Sequence, residues 1–121
     1  MCQAPVDATD ETFFEEVIER SDVLPVVVHL TAPWSTPCRA LGPLLDEIVA
    51  ECGDRCCLVR VNIDASPFVT QIFQPVELPT VIGFKGQHVI ERLHGTQLPE
   101  DLRAFVARLL AAVPPPHPHA H

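Results

Sequence analysis

Hydrophobic and polar residues follow two different periods along the chain, and each period predicts a different kind of element. Apolar side chains spaced three and four residues apart predict amphipathic helices. The predicted helices are residues 7–20, 36–51, 67–73 and 98–112. Thr9 or Asp10 can cap the first helix, because short polar side chains accept hydrogen bonds from the free amides at a helix start.

Short apolar runs rich in valine predict the strands of a sheet. The predicted strands are residues 24–30, 58–63, 80–84 and 88–93. The first two are apolar almost throughout, which is typical of strands that are buried on both faces. The last two are joined by a tight turn at Lys85, Gly86 and Gln87, so we expect an antiparallel hairpin.

The order of these elements predicts the fold class. A strand, a helix and a strand in the first half form a right-handed crossover, which makes the two strands parallel. The hairpin adds antiparallel strands, so we expect an α/β fold with a central mixed sheet of four to five strands flanked by helices on both faces. Residues 1–113 form the predicted domain, and residues 114–121, rich in proline and histidine, form a predicted flexible tail.

Charge and hydropathy exclude several classes of partner. The chain has 121 residues, enough for one domain with a core, and its 8 basic and 16 acidic residues give a net charge of -8. Such acidity opposes binding to a phosphate backbone. No apolar run reaches the roughly 18 residues of a membrane span, and the N-terminus lacks the regions of a signal peptide. We expect no nucleic-acid or membrane partner and a cytoplasmic location.

The cysteine count bears on the compartment and on metal binding. The five cysteines are Cys2, Cys38, Cys52, Cys56 and Cys57. An odd number favours free thiols in a reducing compartment, with a regulatory disulfide between Cys52 and Cys56 as the alternative. A bridge between the adjacent Cys56 and Cys57 would close a strained ring. The spacing does not match a zinc site, and the alternating histidines of the tail are interpreted as disordered rather than metal-binding, so we expect no metal and no cofactor.

Residues 34–38, Trp-Ser-Thr-Pro-Cys, carry the most specific chemical signal. They follow an apolar strand and open a helix. In that setting Trp-Cys-x-Pro-Cys marks a dithiol redox site, because the free amides of a helix start lower the pKa of the first cysteine. Ser35 takes the place of that cysteine. Disulfide exchange needs one thiolate to attack and a second thiol to resolve the mixed disulfide, so this motif by itself lacks half of the chemistry.

Together with other short signatures, this motif makes residues 7–112 resemble the thioredoxin family. The matching residues are the 34–38 motif, Pro43 in the helix that follows it, 61–64 at the end of the central strand, 78–80 in the loop facing the motif, and Gly95 beside the groove. The resemblance implies the thioredoxin fold and a relation to the protein-disulfide oxidoreductases. It also implies protein or peptide thiols and disulfides as partners, with a thioredoxin reductase as a further candidate.

The resemblance assigns roles within the motif and shows two departures. Ser35 stands where the attacking cysteine belongs, and Cys38 matches the resolving thiol. His29 occupies a strand position at which thioredoxins usually carry a buried aspartate, and Arg60 stands where a lysine is common. A neutral His29 could accept the proton of Cys38, since burial and the charge of Arg60 both favour the neutral imidazole. The alternative interpretation is a core histidine whose hydrogen bonds are satisfied.

A groove for an extended peptide is the second implication of the resemblance. A cis peptide bond is expected before the loop proline, and the residue preceding it can pair with a partner's backbone as an added strand. The predicted groove residues are Trp34, Pro37, Leu78, Pro79 and Gly95. Trp34 is expected to be partly exposed for this contact, with simple packing as the alternative.

The chemistry of the motif leaves several interpretations open. A serine hydroxyl is not ionised near neutral pH, and no Gly-x-Ser-x-Gly elbow surrounds Ser35, so we interpret Ser35 as a helix N-cap rather than a nucleophile. Cys38 is expected to be mostly covered. It is an inert buried thiol or a reactive monothiol that forms mixed disulfides or a sulfenic acid, with metal or cluster ligation as a further alternative.

Three functions fit these residues. The first is a thioredoxin-like protein that binds peptides or protein thiols through the groove, with Cys38 as the only motif thiol. The second is an ordinary protein-disulfide reductase in which cysteine was replaced by serine at position 35 by design. The third is a monothiol enzyme that uses Cys38. Two departures at one site, Ser35 and His29, favour the first.

Overall fold

The computed structural model describes residues 5–115 and contains five strands and three α-helices. The strands are β1 (Val6–Ala8), β2 (Val26–Thr31), β3 (Cys57–Asn62), β4 (Thr80–Lys85) and β5 (His88–His94). The α-helices are α1 (Thr36–Ala50), α2 (Pro67–Phe73) and α3 (Pro99–Ala111). A π-helical segment, Phe14–Glu19, and a 3₁₀ turn, Arg20–Asp22, precede β2, and a second 3₁₀ turn, Gly53–Arg55, lies between α1 and β3.

The five strands form one mixed sheet in the order β1-β3-β2-β4-β5. β1, β3 and β2 run parallel, whereas β4 is antiparallel to β2 and β5 is antiparallel to β4. The turn of the final hairpin uses Gly86 and Gln87, both with positive φ, which matches the right-handed twist of the paired strands. The predicted α/β class, the mixed sheet and the antiparallel hairpin are confirmed.

Two apolar layers cover the two faces of the sheet. Alternate residues of β2 divide between them because successive side chains of a strand point to opposite faces. Val28 faces a layer closed by the π-helical segment and α2, whereas Val27 faces a layer closed by α1 and α3. The predicted arrangement of helices on both faces is therefore confirmed.

The N-terminal prediction is wrong in two respects. The helix expected from residue 7 starts only at Phe14, and residues Val6–Ala8 form a strand that pairs with β3. Three residues at a sheet edge carry no periodicity of their own, so the pairing with β3 decides their conformation.

Asp10 caps a different helix from the one predicted. Its carboxylate accepts hydrogen bonds from the backbone amides of Phe68 and Val69 at 3.0 and 2.9 Å. These amides belong to the first turn of α2, whose own N-cap residue, Ser66, makes no side-chain capping bond. No side-chain cap is present at the start of the π-helical segment either, so the expected caps at Thr9 and Asp10 are wrong.

Hydrogen bonds connect the C-terminal end of α3 to the β4–β5 hairpin. Lys85 Nζ donates hydrogen bonds to the carbonyls of Leu110 and Ala112 at 2.6 and 2.7 Å. Pro114 lies so close to the hairpin turn that a Cβ on Gly86 would meet its Cγ at 2.8 Å. A lysine ammonium at this position satisfies carbonyls that a helix leaves free at its end.

The membrane and cysteine predictions can be compared with the structure. No helix within residues 5–115 is long and apolar enough to cross a membrane. Among the cysteines in that range, Cys38, Cys52 and Cys56 are free thiols, whereas Cys57 is disulfide-bonded, so the expectation of free thiols throughout is wrong at Cys57. Cys2 and the tail histidines His117, His119 and His121 lie outside the described residues.

Candidate functional site

The 34–38 motif lies where β2 ends and α1 begins. Ser35 has an extended backbone and is the N-cap of α1, because its Oγ accepts a hydrogen bond from the amide of Cys38 at 3.3 Å. Pro37 occupies the first turn, where its missing N–H costs no helical hydrogen bond. The predicted N-cap is confirmed, and it depends on a short polar side chain rather than on a thiol.

Trp34 projects from this loop with 64% of its surface exposed. Its indole Nε1 donates a hydrogen bond to Asp64 Oδ2 at 2.7 Å, which fixes the ring at the end of β3. Arg39 Nη1 donates to the carbonyl of Pro33 at 2.7 Å and braces the same loop. The expected exposure of Trp34 is confirmed, and the indole is held in one orientation while its faces stay open to a partner.

Cys38 lies beneath this loop and is nearly inaccessible. Only 1% of its surface is exposed, and its thiol is free. The expectation of a mostly covered thiol is therefore confirmed. A partner sulfur can reach Cys38 only if the first turn of α1 moves.

The loop facing the motif contains the expected cis peptide bond, between Leu78 and Pro79. The carbonyl of Pro79 accepts a hydrogen bond from the amide of Gly95 at 2.8 Å, which ties the loop to the end of β5. Thr80 Oγ1 donates to the carbonyl of Glu77 at 2.6 Å, which connects the first residue of β4 to the residue before Leu78. Within residues 5–115, neither the amide nor the carbonyl of Leu78 takes part in a backbone hydrogen bond.

Gly95 is a position that only glycine fits. Its φ is +79°, and a Cβ there would lie 2.6 Å from Glu77 Oε2. A side chain would therefore both strain the backbone and displace the Glu77 carboxylate from the rim of the loop. Pro79 and Gly95 are both buried, whereas Leu78 is half-buried at the surface of this loop.

His29 lies in the middle of β2, with Arg60 of β3 and Val81 of β4 as its neighbours in register. Its exposure is 1%, and strand alternation places it on the same face as Val27, beneath α1. Burial, assisted by the positive charge of Arg60, lowers the pKa of His29 from 6.5 to about 4. The imidazole is therefore neutral at pH 7, which confirms the expected protonation state.

The identity of the chain follows from this site together with comparisons to known proteins. A family model described as thioredoxin matches residues 4–108. The chain belongs to the thioredoxin family. The match covers β1 through most of α3, so it includes the motif, the cis-proline loop and Gly95.

Individual relatives in the thioredoxin family are similar over most of this chain. A thioredoxin of Mycolicibacterium smegmatis is 38% identical over 96 residues, covering 78% of this chain and 84% of that protein. Thioredoxin 1 of Synechococcus elongatus is 43% identical over 82 residues, covering 67% of this chain and 75% of that protein. A bifunctional thioredoxin reductase/thioredoxin of Mycobacterium leprae is 32% identical over 92 residues, covering 76% of this chain but only 20% of that longer protein.

The two departures from the thioredoxin motif have different structural outcomes. Ser35 is accommodated as a capping residue, so the loop keeps its shape. His29 is not brought into hydrogen bonding with Cys38, because neither of its ring nitrogens has a partner within residues 5–115. The interpretation as a satisfied core histidine is therefore wrong. Activation of Cys38 by His29 stays a prediction, which requires a movement that joins the two side chains.

Three polar residues at the site were not singled out for these roles from the sequence. Asp64 orients Trp34, Glu77 lies over Gly95, and Arg39 braces the loop before Ser35. Each acts across a turn or between elements, so no spacing in the chain signals it. Within residues 5–115, no group of three potential metal ligands comes together.

Proposed function

We propose that this thioredoxin-family protein binds an extended segment of a partner polypeptide in its groove and does not carry out dithiol exchange at the motif. The groove residues are Trp34, Pro37, Leu78, Pro79 and Gly95. The observation that carries this proposal is the backbone of Leu78, which makes no backbone hydrogen bond within the described residues and lies in the loop that faces the Trp34 motif.

Because residue 35 is serine, the motif has no attacking thiol. At this position a cysteine would gain from the free amides at the start of α1, which favour a thiolate. The Ser35 hydroxyl instead accepts the Cys38 amide as a cap. The serine cap preserves the shape of the groove. A serine hydroxyl cannot form the mixed disulfide with which exchange begins.

The groove supplies what backbone pairing with a peptide needs. An added strand forms hydrogen bonds through alternate residues, and Leu78 offers one donor and one acceptor for such a pair. The exposed indole of Trp34 offers an apolar face to an adjacent side chain. Partner affinity would therefore come from main-chain bonds, with selectivity from the residue that contacts Trp34.

The rim of the groove adds a charge preference. The carboxylates of Asp64 and Glu77 are both on exposed residues at its edge, and the whole chain has a net charge of -8. Like charges repel acidic segments, so we propose neutral or basic partner segments. Protein thiols and disulfides are included among the proposed partners.

The burial of Cys38 favours a binding protein over a monothiol enzyme. A monothiol enzyme must expose its sulfur to each substrate, whereas Cys38 is 1% exposed. In our proposal Cys38 attacks a disulfide of the partner, and the partner's other sulfur leaves as a thiolate, only after the segment has bound and the first turn of α1 has opened. We propose a cytoplasmic location for this exchange.

A thioredoxin reductase is a further proposed partner. The Mycobacterium leprae relative is named a bifunctional thioredoxin reductase/thioredoxin, so the two activities are joined in that protein. We propose that a reductase can dock on the same groove here. It would find no motif disulfide to reduce unless residue 35 were cysteine, as in the alternative of a designed replacement.

Trp34 itself provides the test of peptide binding, because it is the only tryptophan in the chain. Reduced and alkylated insulin B chain is an extended probe without thiols, so only non-covalent binding is measured. We expect a saturable change in Trp34 fluorescence, and a fall in affinity of about tenfold for Trp34→Ala measured by calorimetry. Val23→Ala, at an apolar residue with 83% exposure, is the matched control and should bind normally.

A second measurement distinguishes backbone pairing from simple apolar contact. Probe peptides N-methylated at alternate amides lose their donors on one edge only. N-methylation of the peptide amides that face Leu78 should abolish binding, whereas N-methylation of the amides on the opposite edge of the peptide should be tolerated. Equal effects in both registers, or no effect of Trp34→Ala, would contradict the proposed groove.

A further inference from the structure

A pair of thiols lies at the end of the sheet opposite the motif. Helix α1 starts at the motif and has 15 residues, so its far end is about 22 Å away. Cys52 follows that end, and Cys56 comes just before β3. The proposed groove uses neither residue.

The two sulfur atoms are brought together by the 3₁₀ turn Gly53–Arg55. Gly53 has φ of +60°, which lets the chain reverse within three residues. Cys52 and Cys56 flank this turn, and both pack into the apolar layer beneath α1 and α3, where the Cys52 thiol donates a hydrogen bond to the carbonyl of Ile48 at 3.8 Å. Both are free thiols.

The neighbouring Cys57 does not compete for this contact. It packs into the opposite apolar layer, because adjacent strand residues point to opposite faces, and it is already disulfide-bonded. Cys52 and Cys56 therefore form a separate dithiol.

We propose that Cys52 and Cys56 form a second redox dithiol, which reduces small disulfides such as oxidised glutathione and closes into a Cys52–Cys56 disulfide. The dithiol is independent of Ser35 and of the peptide groove. It gives the chain a two-electron couple that the motif lacks.

The two steps follow from the exposure of the two thiols. Cys52 is half-buried and reaches solvent, whereas Cys56 is buried. The Cys52 thiolate attacks one sulfur of the small disulfide, forms a mixed disulfide and releases the first small thiolate. Cys56 then attacks the Cys52 sulfur, and the second small thiol leaves. The protein dithiol is oxidised by two electrons, and the small disulfide is reduced to two thiols that take up the two protons.

The protonation of Cys56 fits its place as the second thiol. Burial, followed by the neighbouring Cys52 sulfur, raises the pKa of Cys56 to about 12. Cys56 therefore keeps its proton until the mixed disulfide is beside it, and the departing small thiolate can accept that proton. The order of attack is thereby fixed with Cys52 first.

An open cavity of about 410 Å³ lies beside the turn, and neither Cys52 nor Cys56 is among the residues that line it. Asp54 and Arg55 of the turn line it, together with Lys85. The Arg55 guanidinium is exposed and donates to the carbonyl of Cys52 at 3.3 Å, so it lies next to the attacking residue. A guanidinium there favours a disulfide that carries carboxylates, as oxidised glutathione does.

The test uses the full chain and its Cys38→Ser variant, so that motif chemistry is removed. Each protein is incubated with oxidised glutathione, the remaining thiols are alkylated, and the denatured protein is digested with trypsin. Cleavage after Arg55 separates residues 40–55 from residues 56–60. We expect these two fragments to stay joined until a reductant is added, with Cys52 and Cys56 protected from alkylation and no glutathione retained.

Single variants separate the two steps. Cys56→Ser should retain one glutathione on Cys52, and Cys52→Ser should lose thiols at least about tenfold more slowly than the parent. The proposal is overturned if fragments 40–55 and 56–60 are joined equally in Cys56→Ser, since the bond would then involve Cys57. It is also overturned if both thiols of the parent stay open to alkylation, or if the parent holds a stable glutathione adduct.

Discussion

The two ends of the central sheet differ in what they retain of a redox site. The motif end has the shape: a capped helix, a cis-proline loop and an exposed Trp34, but only one thiol, Cys38. The opposite end has two free thiols, Cys52 and Cys56, at either end of a short 3₁₀ turn. The comparison teaches that groove geometry and thiol chemistry are separate properties of the fold.

The shape of the motif end survives because none of its supports requires a cysteine. Ser35 provides the cap, Asp64 holds the indole of Trp34, and Gly95 binds the loop through the carbonyl of Pro79. In each of these hydrogen bonds the acceptor is an oxygen atom, and no thiol takes part. The shape of this loop therefore does not depend on a cysteine at position 35.

The largest expected effect comes from restoring the thiol at the motif end. Ser35→Cys should raise insulin reduction by dithiothreitol by about 10³-fold or more over the parent, because an attacking and a resolving thiol then act as a unit. The rate of insulin precipitation measures this. Ser35→Cys combined with Cys38→Ser is the control and should lose most of the gain. An inactive Ser35→Cys protein would mean that His29 or another departure also blocks exchange.

The next largest effect is a dependence of the free energy of unfolding on pH, which arises from His29. His29 is neutral and buried, with a pKa of about 4 against 6.5, so it favours the folded state fully above pH 6.5 and loses that contribution as pH falls to 4. We expect the free energy of unfolding to fall by about 3 kcal/mol more in the parent than in His29→Leu over this range. Urea unfolding at several pH values measures it.

The control for this prediction lies at the other end of the sheet. His29→Leu should leave the oxidation of Cys52 and Cys56 by glutathione disulfide unchanged. Parallel stability curves for the parent and His29→Leu between pH 6.5 and pH 4 would refute a buried neutral imidazole.

Backbone shape at the motif end gives a smaller effect. Gly95→Ala should destabilise the fold by about 2 kcal/mol and weaken binding of the insulin B-chain probe, since Gly95 has φ of +79° and Glu77 occupies the space for a Cβ. Gly42→Ala is the matched control. Gly42 lies inside α1 with nothing within 4 Å of its Cβ position, so that change should stabilise by about 0.5–1 kcal/mol. Equal thermal stability of the two variants would contradict the geometry at Gly95.

The smallest effect tests the role of Ser35 as a cap. Ser35→Ala should cost about 1 kcal/mol, measured by urea unfolding, because the Cys38 amide loses its acceptor. Ser35→Asn keeps an acceptor and should recover most of this loss. If Ser35→Ala were as stable as the parent, the hydrogen bond to the Cys38 amide would not support the start of α1.

Most of the fold could be predicted from periodicity. Helix α2 occurs at the predicted residues, and the ends of α1 and α3 differ from prediction by a residue at most. The exception is the N-terminal region, where β1 takes its conformation from β3 and Asp10 caps a helix 58 residues away. Both features arise from contacts distant in sequence, which a local pattern does not contain.

The site could be predicted in part. The cap at Ser35 follows from its residue type and position, and the burial of His29 follows from its apolar strand. The cis bond at Pro79 was expected only through the family resemblance. The unpartnered ring nitrogens of His29 could not be predicted, because they depend on side-chain directions set by several elements together.

The attachment of α3 to the hairpin by Lys85 determines where the polypeptide leaves the domain. Lys85 ends β4 directly after Phe84, which pairs with Val26, the first residue of β2, so it lies at the end of the sheet remote from Trp34. Pro114 is held against the same hairpin. A label, surface tether or fused protein attached beyond residue 115 would therefore start on the far side of the molecule and leave the groove free for a partner.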